Sequence, residues 1–460
     1  MKVLKVKSSW LSESDLRLDA PFHLSDGVKT KRLIEKFCPY ELTTIEDESL
    51  NLYKGNIHKR VYVSSPEHGY MFYTASDLFK ADLETGKYVS KRYSSYLKEL
   101  ELKRNWILIT RSGTLGKVLL TSEDHEKKIG TDDLVRVYLK QEKVKTGYLY
   151  AFLSSKYGYG LLTQAGYGGV VKHIEPDHVK GINVPVLPIT LQDRINTLIT
   201  ESSHLRVEAN KLLKEATRDV EQRVLKELGR IKKEPSSSRN IKELFQYEKR
   251  LDAPYNWSLG RLINDEIIKI DHKLLSELSE VFHPILFGKK QIKGTPTKGN
   301  PLYKSTSMGK LKPETDFWLS LKKNDSYRKL QVKEGWVLIS RTGTVGNVVR
   351  INKSMNNTFI DDHMIRVKPS SNYHGLVYIF LKSYYGQKLI EFQKYGSVQE
   401  VINSTYIERI PIPATLMDKN FLSELDQKVK TLSDFFDTAY LKETEAIELV
   451  ENEIESWQKS

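Results

Sequence analysis

Cysteine is nearly missing from this sequence: Cys38 is the single one in 460 residues. One thiol excludes an intramolecular disulfide and a cysteine-based zinc site, and it fits a reducing compartment. Long hydrophobic runs are missing too, since no stretch approaches the roughly 18 apolar residues of a membrane span. The first ten residues, Met1 to Trp10, carry no apolar h-region. A cytoplasmic location is therefore expected. Catalytic signatures are equally scarce. There is no Gly-x-x-x-x-Gly-Lys-Ser/Thr phosphate loop, and the eleven histidines contain no His-x-x-x-His pair. Asn300-Pro-Leu-Tyr303 has Leu where the Asn/Asp-Pro-Pro-Tyr loop of amino-methyltransferases has Pro, and no Gly-rich cofactor loop follows a strand upstream. Asp132-Asp133 and Asp361-Asp362 are carboxylate pairs without a recurring third ligand, so no metal site is expected.

What is present is charge and repetition. Lys and Arg number 72 against 59 Asp and Glu, a formal net charge of +13. A basic balance of this kind favours a polyanionic partner, most often nucleic acid. The stretch Trp106-Ile-Leu-Ile-Thr-Arg-Ser-Gly-Thr-Leu-Gly116 recurs 230 residues later as Trp336-Val-Leu-Ile-Ser-Arg-Thr-Gly-Thr-Val-Gly346. An offset of half the chain means two copies of a whole domain, not a solenoid of short units. In each copy a short apolar run meets two glycines and small hydroxyls, which predicts a strand, a tight hairpin loop and a returning strand.

The order of segments repeats as well. Arg17-Leu-Asp-Ala-Pro-Phe22 is echoed by Arg250-Leu-Asp-Ala-Pro-Tyr255. The strand around Arg136 is echoed by Met364-Ile-Arg-Val367, and the predicted helix at Gly147 by one at Gly375. The exits Val184-Pro-Val-Leu-Pro188 and Ile410-Pro-Ile-Pro413 are extended runs whose prolines block a helix. Between and after the globules the apolar period changes to steps of three and four. Leu191, Ile195, Leu198, Leu205, Ala209, Leu212, Ala216, Val220, Val224 and Leu228 form one stripe, with Ser202 in one slot. Leu422, Leu425, Val429, Leu432, Phe436, Ala439, Ala446 and Val450 form the other, with Glu443 in one slot and Trp457 near its end. Such seams predict two long helices, the first about 60 Å at ~1.5 Å per residue, that pair with each other. The expected architecture is mixed α/β (α+β) and pseudo-two-fold. It has globules at 1–188 and 239–415, a helix and linker at 189–238, and a closing helix at 416–460.

Two readings of the repeated loop stay open. Arg111, Thr114 and Lys117, with Arg341, Thr344 and Asn347, either touch a nucleic acid or only close a hairpin. Gln164, Tyr167, Lys172 and His173 lie on a Gly-rich stretch, with Lys394, Tyr395 and Gln399 on its counterpart. Planar, polar and basic groups of this kind suit a DNA groove or an ordinary solvated loop. Lys54 to Arg60 and Lys289 to Pro296 differ between the copies, as two readers of different sequences require.

Taken in order, these motifs resemble the specificity (S) subunit of Type I restriction–modification systems. The repeated hairpin carries the resemblance. It is joined by Gly294-Thr-Pro296 with Tyr303, by Val184 to Pro188 followed by Leu191, Gln192 and Ile195, and by the Arg-Leu-Asp-Ala openings. The first half lacks a clear Gly-Thr-Pro, and the second exit lacks the following Gln. The resemblance implies two tandem target-recognition domains joined and followed by long helices that pair as an antiparallel coiled coil. It implies a non-catalytic reader of a bipartite, asymmetric DNA site, one half per domain. The implied partners are double-stranded DNA, two modification (methyltransferase) subunits and the restriction (translocase/nuclease) subunits. S-adenosylmethionine, ATP and Mg2+ would sit on those partners, with no cofactor in this chain. Two alternatives stay open: the specificity subunit of a Type IIB-like system, and a structural adaptor that binds proteins.

Overall fold

The computed structural model describes residues 7–8, 20–164, 173–231, 250, 252–284, 299–320, 325–396 and 399–458. The chain forms two compact units, 1–207 with 438–460 and 208–437. Both boundaries fall inside long helices, so each unit holds one globule and one stretch of helix pair.

In the first unit, four antiparallel strands lie in the order Ser49–Lys54, Leu134–Leu139, Ile107–Thr110 and Val118–Leu120. Ile107–Thr110 is buried along its whole length, as a short continuous apolar run bounded by turns requires. The second unit repeats the sheet as Ser279–Phe282, Met364–Pro369, Val337–Ser340 and Val348–Arg350. Alternate residues serve opposite faces. Val337, Ile339, Ile365 and Val367 pack toward helices, whereas Leu338 and Met364 pack with Ile360, Val332 and Met308 on the other side. A smaller sheet covers that other side. It contains a parallel pair in each unit, Phe72–Ile129 with Tyr73–Gly130 and Leu302–Phe359 with Tyr303–Ile360. The proline-rich exits are strands. Asn183–Pro185 pairs with Leu42–Thr44, and Pro411–Pro413 with His272–Leu274.

The helices at Thr146–Ser154 and His374–Lys382 are each followed by another, Lys156–Gln164 and Tyr384–Phe392. The corner between them is built identically. The Ser155 hydroxyl donates to the Phe152 carbonyl at 2.6 Å and accepts from the Gly158 N–H. Ser383, Phe380 and Gly386 repeat this. A Cβ on Gly158 would sit 2.1 Å from the Phe152 carbonyl oxygen, and one on Gly386 2.0 Å from that of Phe380. Only glycine fits there. Reading the Gly-rich stretch as a loop from Gln164 is corrected in one respect: Gln164 is the last residue of a helix. Hydrogen bonds within a turn continue through Leu161 and Leu162, whose burial against the neighbouring helix Asp26–Phe37 outweighs the glycines.

The long helices span Ile189–Leu228 and Lys419–Ser456. Their buried stripes are wider than a simple heptad reading suggests. Ile199, Val207 and Leu213 are buried on the first, and Phe421, Ile447 and Ile454 on the second, while Leu198, Leu205, Leu212, Leu422 and Phe436 are only half-buried. The cause is that each helix packs against a globule as well as against its partner. In the first unit Arg194 meets Glu445 at 2.9 Å, Glu201 meets Lys442 at 2.7 Å and the Ser202 hydroxyl donates to the Ala439 carbonyl at 2.7 Å. In the second unit Asp219 meets Lys428 at 2.6 Å, and the Arg223 guanidinium lies 3.8 Å from the Phe421 ring centroid. Partner numbers fall as helix numbers rise, so each pair is antiparallel. The two odd residues of the stripes are both satisfied. Ser202 bonds across the pair, and Glu443 receives Arg206 and the Tyr150 hydroxyl, the latter at 2.9 Å. Among the described residues no helix is long and apolar enough to cross a membrane.

Glu443 is 5% exposed, so losing it strands the Arg206 charge in a half-dry seam. Glu443→Ala is expected to cost about 3–5 kcal/mol, and joint replacement by Arg206→Met and Glu443→Leu to recover most of it. Urea unfolding of the single and double variants checks this.

Candidate nucleic-acid interface

The repeated hairpin is closed by the residue before its arginine. The Thr110 carbonyl accepts from the Gly116 N–H at 3.0 Å, and the Thr110 hydroxyl accepts from the Lys117 N–H at 2.9 Å. That hydroxyl donates to the Thr114 carbonyl. Ser340 makes the same three bonds with Gly346, Asn347 and Thr344. Gly113 and Gly116 have φ of +65° and +74°, and Gly343 and Gly346 +75° and +91°, a region that side chains disfavour. A Cβ on Gly113 or Gly343 would meet nothing within 4 Å, so the tips are open. Thr114 and Thr344 are exposed at those tips.

A buried arginine shapes the loop beneath each hairpin. Arg136 and Arg366 are both fully buried. Arg136 donates to the carbonyls of Leu134, Gly130 and Thr131, at 3.2, 3.3 and 2.9 Å. Arg366 donates to Met364 and, at 2.7 Å, to Ile360. Burial pulls Arg366 down to about 10, so it keeps its charge at neutral pH. These bonds fold the segment after the parallel strand back toward the hairpin. The Arg111 N–H then donates to the Asp133 carbonyl, and the Arg341 N–H to that of His363 at 2.9 Å. Asp133 and His363 are therefore equivalent, and so are Thr131 and Asp361, which bond the carbonyls of Tyr73 and Tyr303. The carboxylate pairs of the two halves are one residue out of step. Asp132 pairs with Arg60 and lies 3.3 Å from His58. Asp361 accepts from the N–H groups of Ser305 and His363 at 3.0 and 3.2 Å.

Side chains around the two arginines diverge. Arg111 is 13% exposed, and it meets Glu175, Asp133 at 3.5 Å and the Ile174 carbonyl at 2.9 Å. Lys54 closes the set on Glu175 at 2.7 Å, and the Ser112 hydroxyl donates to Asp133. Lys54, then Arg111, hold the Glu175 carboxyl below its usual range. In the second unit, the Ile402 N–H donates to the Arg341 carbonyl at 3.2 Å, as the Ile174 N–H does to that of Arg111. The residue after Ile402 is Asn403, which caps the helix Ser404–Ile407. His363 bonds the Thr342 hydroxyl at 3.1 Å, and His283 bonds the Asp362 carbonyl.

The remaining candidates are scattered more widely. Lys117 lies 5.3 Å from the Tyr159 ring centroid. Gln164 packs at the helix Asp26–Phe37, where a Cβ on Gly27 would come within 2.5 Å of its Cβ. It is at a helix contact, next to Thr163, whose Cγ2 would lie 3.0 Å from a Cβ on Gly116. His173 is exposed and joins the Arg111 set through Ile174. Tyr167 and Lys172 lie outside the described residues, as do Gly294-Thr-Pro296 and Lys289 to Pro296. Asn347 caps the hairpin base. Lys394 pairs with Glu400 at 3.3 Å, and its carbonyl accepts from Arg250 at 2.7 Å, which gives the Arg-Leu-Asp-Ala opening its structural role. Tyr395 and Val401 exchange both backbone bonds, at 3.0 and 2.9 Å, around Gly396 and the exposed Gln399. Val401 leads into Ile402, whose N–H meets the Arg341 carbonyl, so the Tyr395–Val401 bridge adjoins the hairpin arginine.

Sequence reasoning missed Arg136, Arg366, Lys54, Glu175, His363 and Asn403 as parts of this site. It also missed a basic and aromatic patch in the first unit, where Tyr93 and Tyr96 are 60% and 55% exposed. Lys91 lies 5.4 Å from the Tyr70 ring and Arg92 5.3 Å from that of Tyr93. The run Lys87-Tyr-Val-Ser-Lys-Arg-Tyr-Ser-Ser-Tyr96 was the available signal.

Residues 273–452 match the model of the Type I restriction modification DNA specificity domain. The second half of the chain is similar to that domain over this span. The matched span is less than half of the chain and contains Arg341, His363 and Asn403. Solved structures similar to the chain include the S subunit of a Type-I restriction-modification system from M. genitalium, at 13% identity over 90% of this chain and 96% of that one, with a TM-score of 0.38. The HsdS subunit from Thermoanaerobacter tengcongensis is similar at 13% identity, over 91% and 96%, with a TM-score of 0.28. A chain from a structure addressing complex assembly and conformational transition of the type I R-M system aligns at 13%, over 92% and 98%, with a TM-score of 0.28. Comparison with curated proteins gives no match.

Glu175 ties a cation at the end of a strand, Lys54, to one on the hairpin loop, Arg111, and its depressed carboxyl titration sets a sign. Its contribution to stability is fully present above the usual Glu range near ~4.3 and is lost as pH falls through the lower folded value. Glu175→Gln should therefore flatten the acid limb of a melting-temperature profile and lower stability at neutral pH. An acid limb unchanged from wild type would count against the Lys54–Glu175–Arg111 set.

Proposed function

We propose that this chain is the sequence-specific DNA-recognition subunit of a Type I restriction–modification complex, with no chemistry of its own. One observation carries the reading: the hairpin of the specificity domain occurs twice, once per compact unit, on sheets of the same strand order and with different side chains around it. Each unit reads one half of a bipartite, asymmetric site. Base edges are read by planar polar groups, and phosphates are held by Lys, Arg and backbone N–H groups. Arg341, Thr344, Tyr395 and Gln399 serve this use in the second unit. Thr114, Lys117 and His173 serve in the first, together with the patch at Lys91 to Tyr96.

The paired helices recruit two modification subunits, which bring S-adenosylmethionine and methylate adenine. Restriction subunits add ATP- and Mg2+-dependent cleavage. The methylated base leaves the stack to react, so the reader holds the duplex while the partner reaches it.

Co-expression with the modification subunit and genome-wide mapping of modified adenines tests this. A bipartite motif is expected, and exchanging the segment before Leu191 should change one half of it only. A single uninterrupted motif, or methylation by this chain alone with S-adenosylmethionine, would refute the reading.

A further inference from the structure

The two hairpins have the same backbone and different electrostatics. In both, the N–H groups at the tip, residues 112–115 and 342–345, donate to no protein acceptor among the described residues. In the first unit the arginine behind them is neutralised. Lys54 and Arg111 face Asp133 and Glu175, two cations against two carboxylates. The equivalent positions in the second unit are His283, Arg341, His363 and Asn403. The equivalences follow from shared backbone bonds: Arg111 and Arg341 to Asp133 and His363, and Ile174 and Ile402 to the two arginines. Lys54 and His283 each follow the residue that pairs with the buried arginine, Tyr53 with Arg136 and Phe282 with Arg366. Both carboxylates are replaced, and the arginine is kept. Among the described residues, no carboxylate lies within ion-pair distance of Arg341.

We infer that the second hairpin is an oxyanion site for a phosphodiester of the DNA backbone, built from Arg341 and the open N–H groups of residues 342–345, and that the first hairpin is not. A guanidinium suits this ligand because it can donate two parallel hydrogen bonds to a phosphate. Successive backbone N–H groups beside a left-handed glycine add a concave anion cradle. In the first unit the same cradle is backed by Asp133 and Glu175, which repel a phosphate and already hold the guanidinium. The loop shared by both units is thus a latent anion site. Two substitutions at Asp133/His363 and Glu175/Asn403 decide whether it is open.

This rests on the DNA-reading function proposed above, and the test separates the two. The full chain is titrated with duplex DNA and, separately, with inorganic polyphosphate over a range of NaCl, and log K is plotted against log salt. Removing one cation that neutralises a phosphate makes the slope shallower by ~0.9 for duplex DNA. Arg341→Ala should make the slope shallower by about that amount with DNA and should also make it shallower with polyphosphate, whereas Arg341→Lys should largely preserve both. Since Arg341 makes no ion pair among the described residues, Arg341→Ala should keep the wild-type melting temperature. The double variant His363→Asp with Asn403→Glu installs the carboxylates of the first unit and should reproduce the change in slope with Arg341 in place. Arg111→Ala should lower the melting temperature and leave the slope unchanged. An unaltered slope in Arg341→Ala, or an equal change in Arg111→Ala, overturns the inference while salt-dependent DNA binding leaves the DNA reading intact. An Arg341-dependent slope with polyphosphate but no binding to duplex DNA upholds the anion site and removes the DNA reading.

Discussion

A guanidinium buried without a carboxylate partner fixes the candidate site in both units. Arg136 and Arg366 start on the central strand of the larger sheet and donate back to carbonyls at the end of the parallel strand of the smaller one. Desolvating such a group costs several kcal/mol unless its donors are met, and here backbone oxygens meet the two terminal nitrogens of each guanidinium while its Nε stays without a partner. The segment between the sheets has one conformation because those carbonyls converge on one cation. That conformation presents residue 133 or 363 to the hairpin arginine. Without the buried group the carbonyls would be stranded in an apolar layer, and the loop that lines the hairpin would have no fixed shape.

On this common frame the two units carry different charge. The hairpin backbone, the hydroxyl that closes it, the glycine corner and the buried arginine are duplicated nearly residue for residue. The lining is not. Asp133 and Glu175 spend the Arg111 charge inside the protein, whereas His363 and Asn403 leave that of Arg341 available. Frame and lining are separable because the frame is held by backbone bonds, which tolerate exchange of the outward side chains. A duplicated reader can thus vary what it presents without refolding.

Much of the frame was legible from the sequence, for identifiable reasons. The hairpin strands are short apolar runs ended by Gly and Thr, and the repeat at 230 residues marks them twice. The two long helices follow from a period that persists for many turns. Their true seam is wider than the heptad reading, because residues such as Ile199 and Leu213 pack with a globule as well as the other helix, a tertiary demand no local pattern encodes. The neutralising set around Arg111 was not legible. Lys54, Asp133 and Glu175 come from three separate segments, and nothing in their neighbours distinguishes a paired carboxylate from a solvated one. The two Asp-Asp pairs are not equivalent for a related reason: the dipeptide recurs, but its register against the buried arginine shifts by one. Gln164 looked like a loop residue beside a run of glycines, and burial of Leu161 and Leu162 extends the helix to it.

The satisfied polar residues of the helix pair bear on register. Apolar seams of similar side chains are tolerant of sliding, because one heptad resembles the next. Glu443 removes that tolerance. Its carboxylate meets Arg206 and Tyr150 in this register. A slide by one heptad would draw it away from both groups and leave a buried charge with no counterpart. A single acidic residue thus works as a key cut for one position, and it sets where along the first helix the last helix stops.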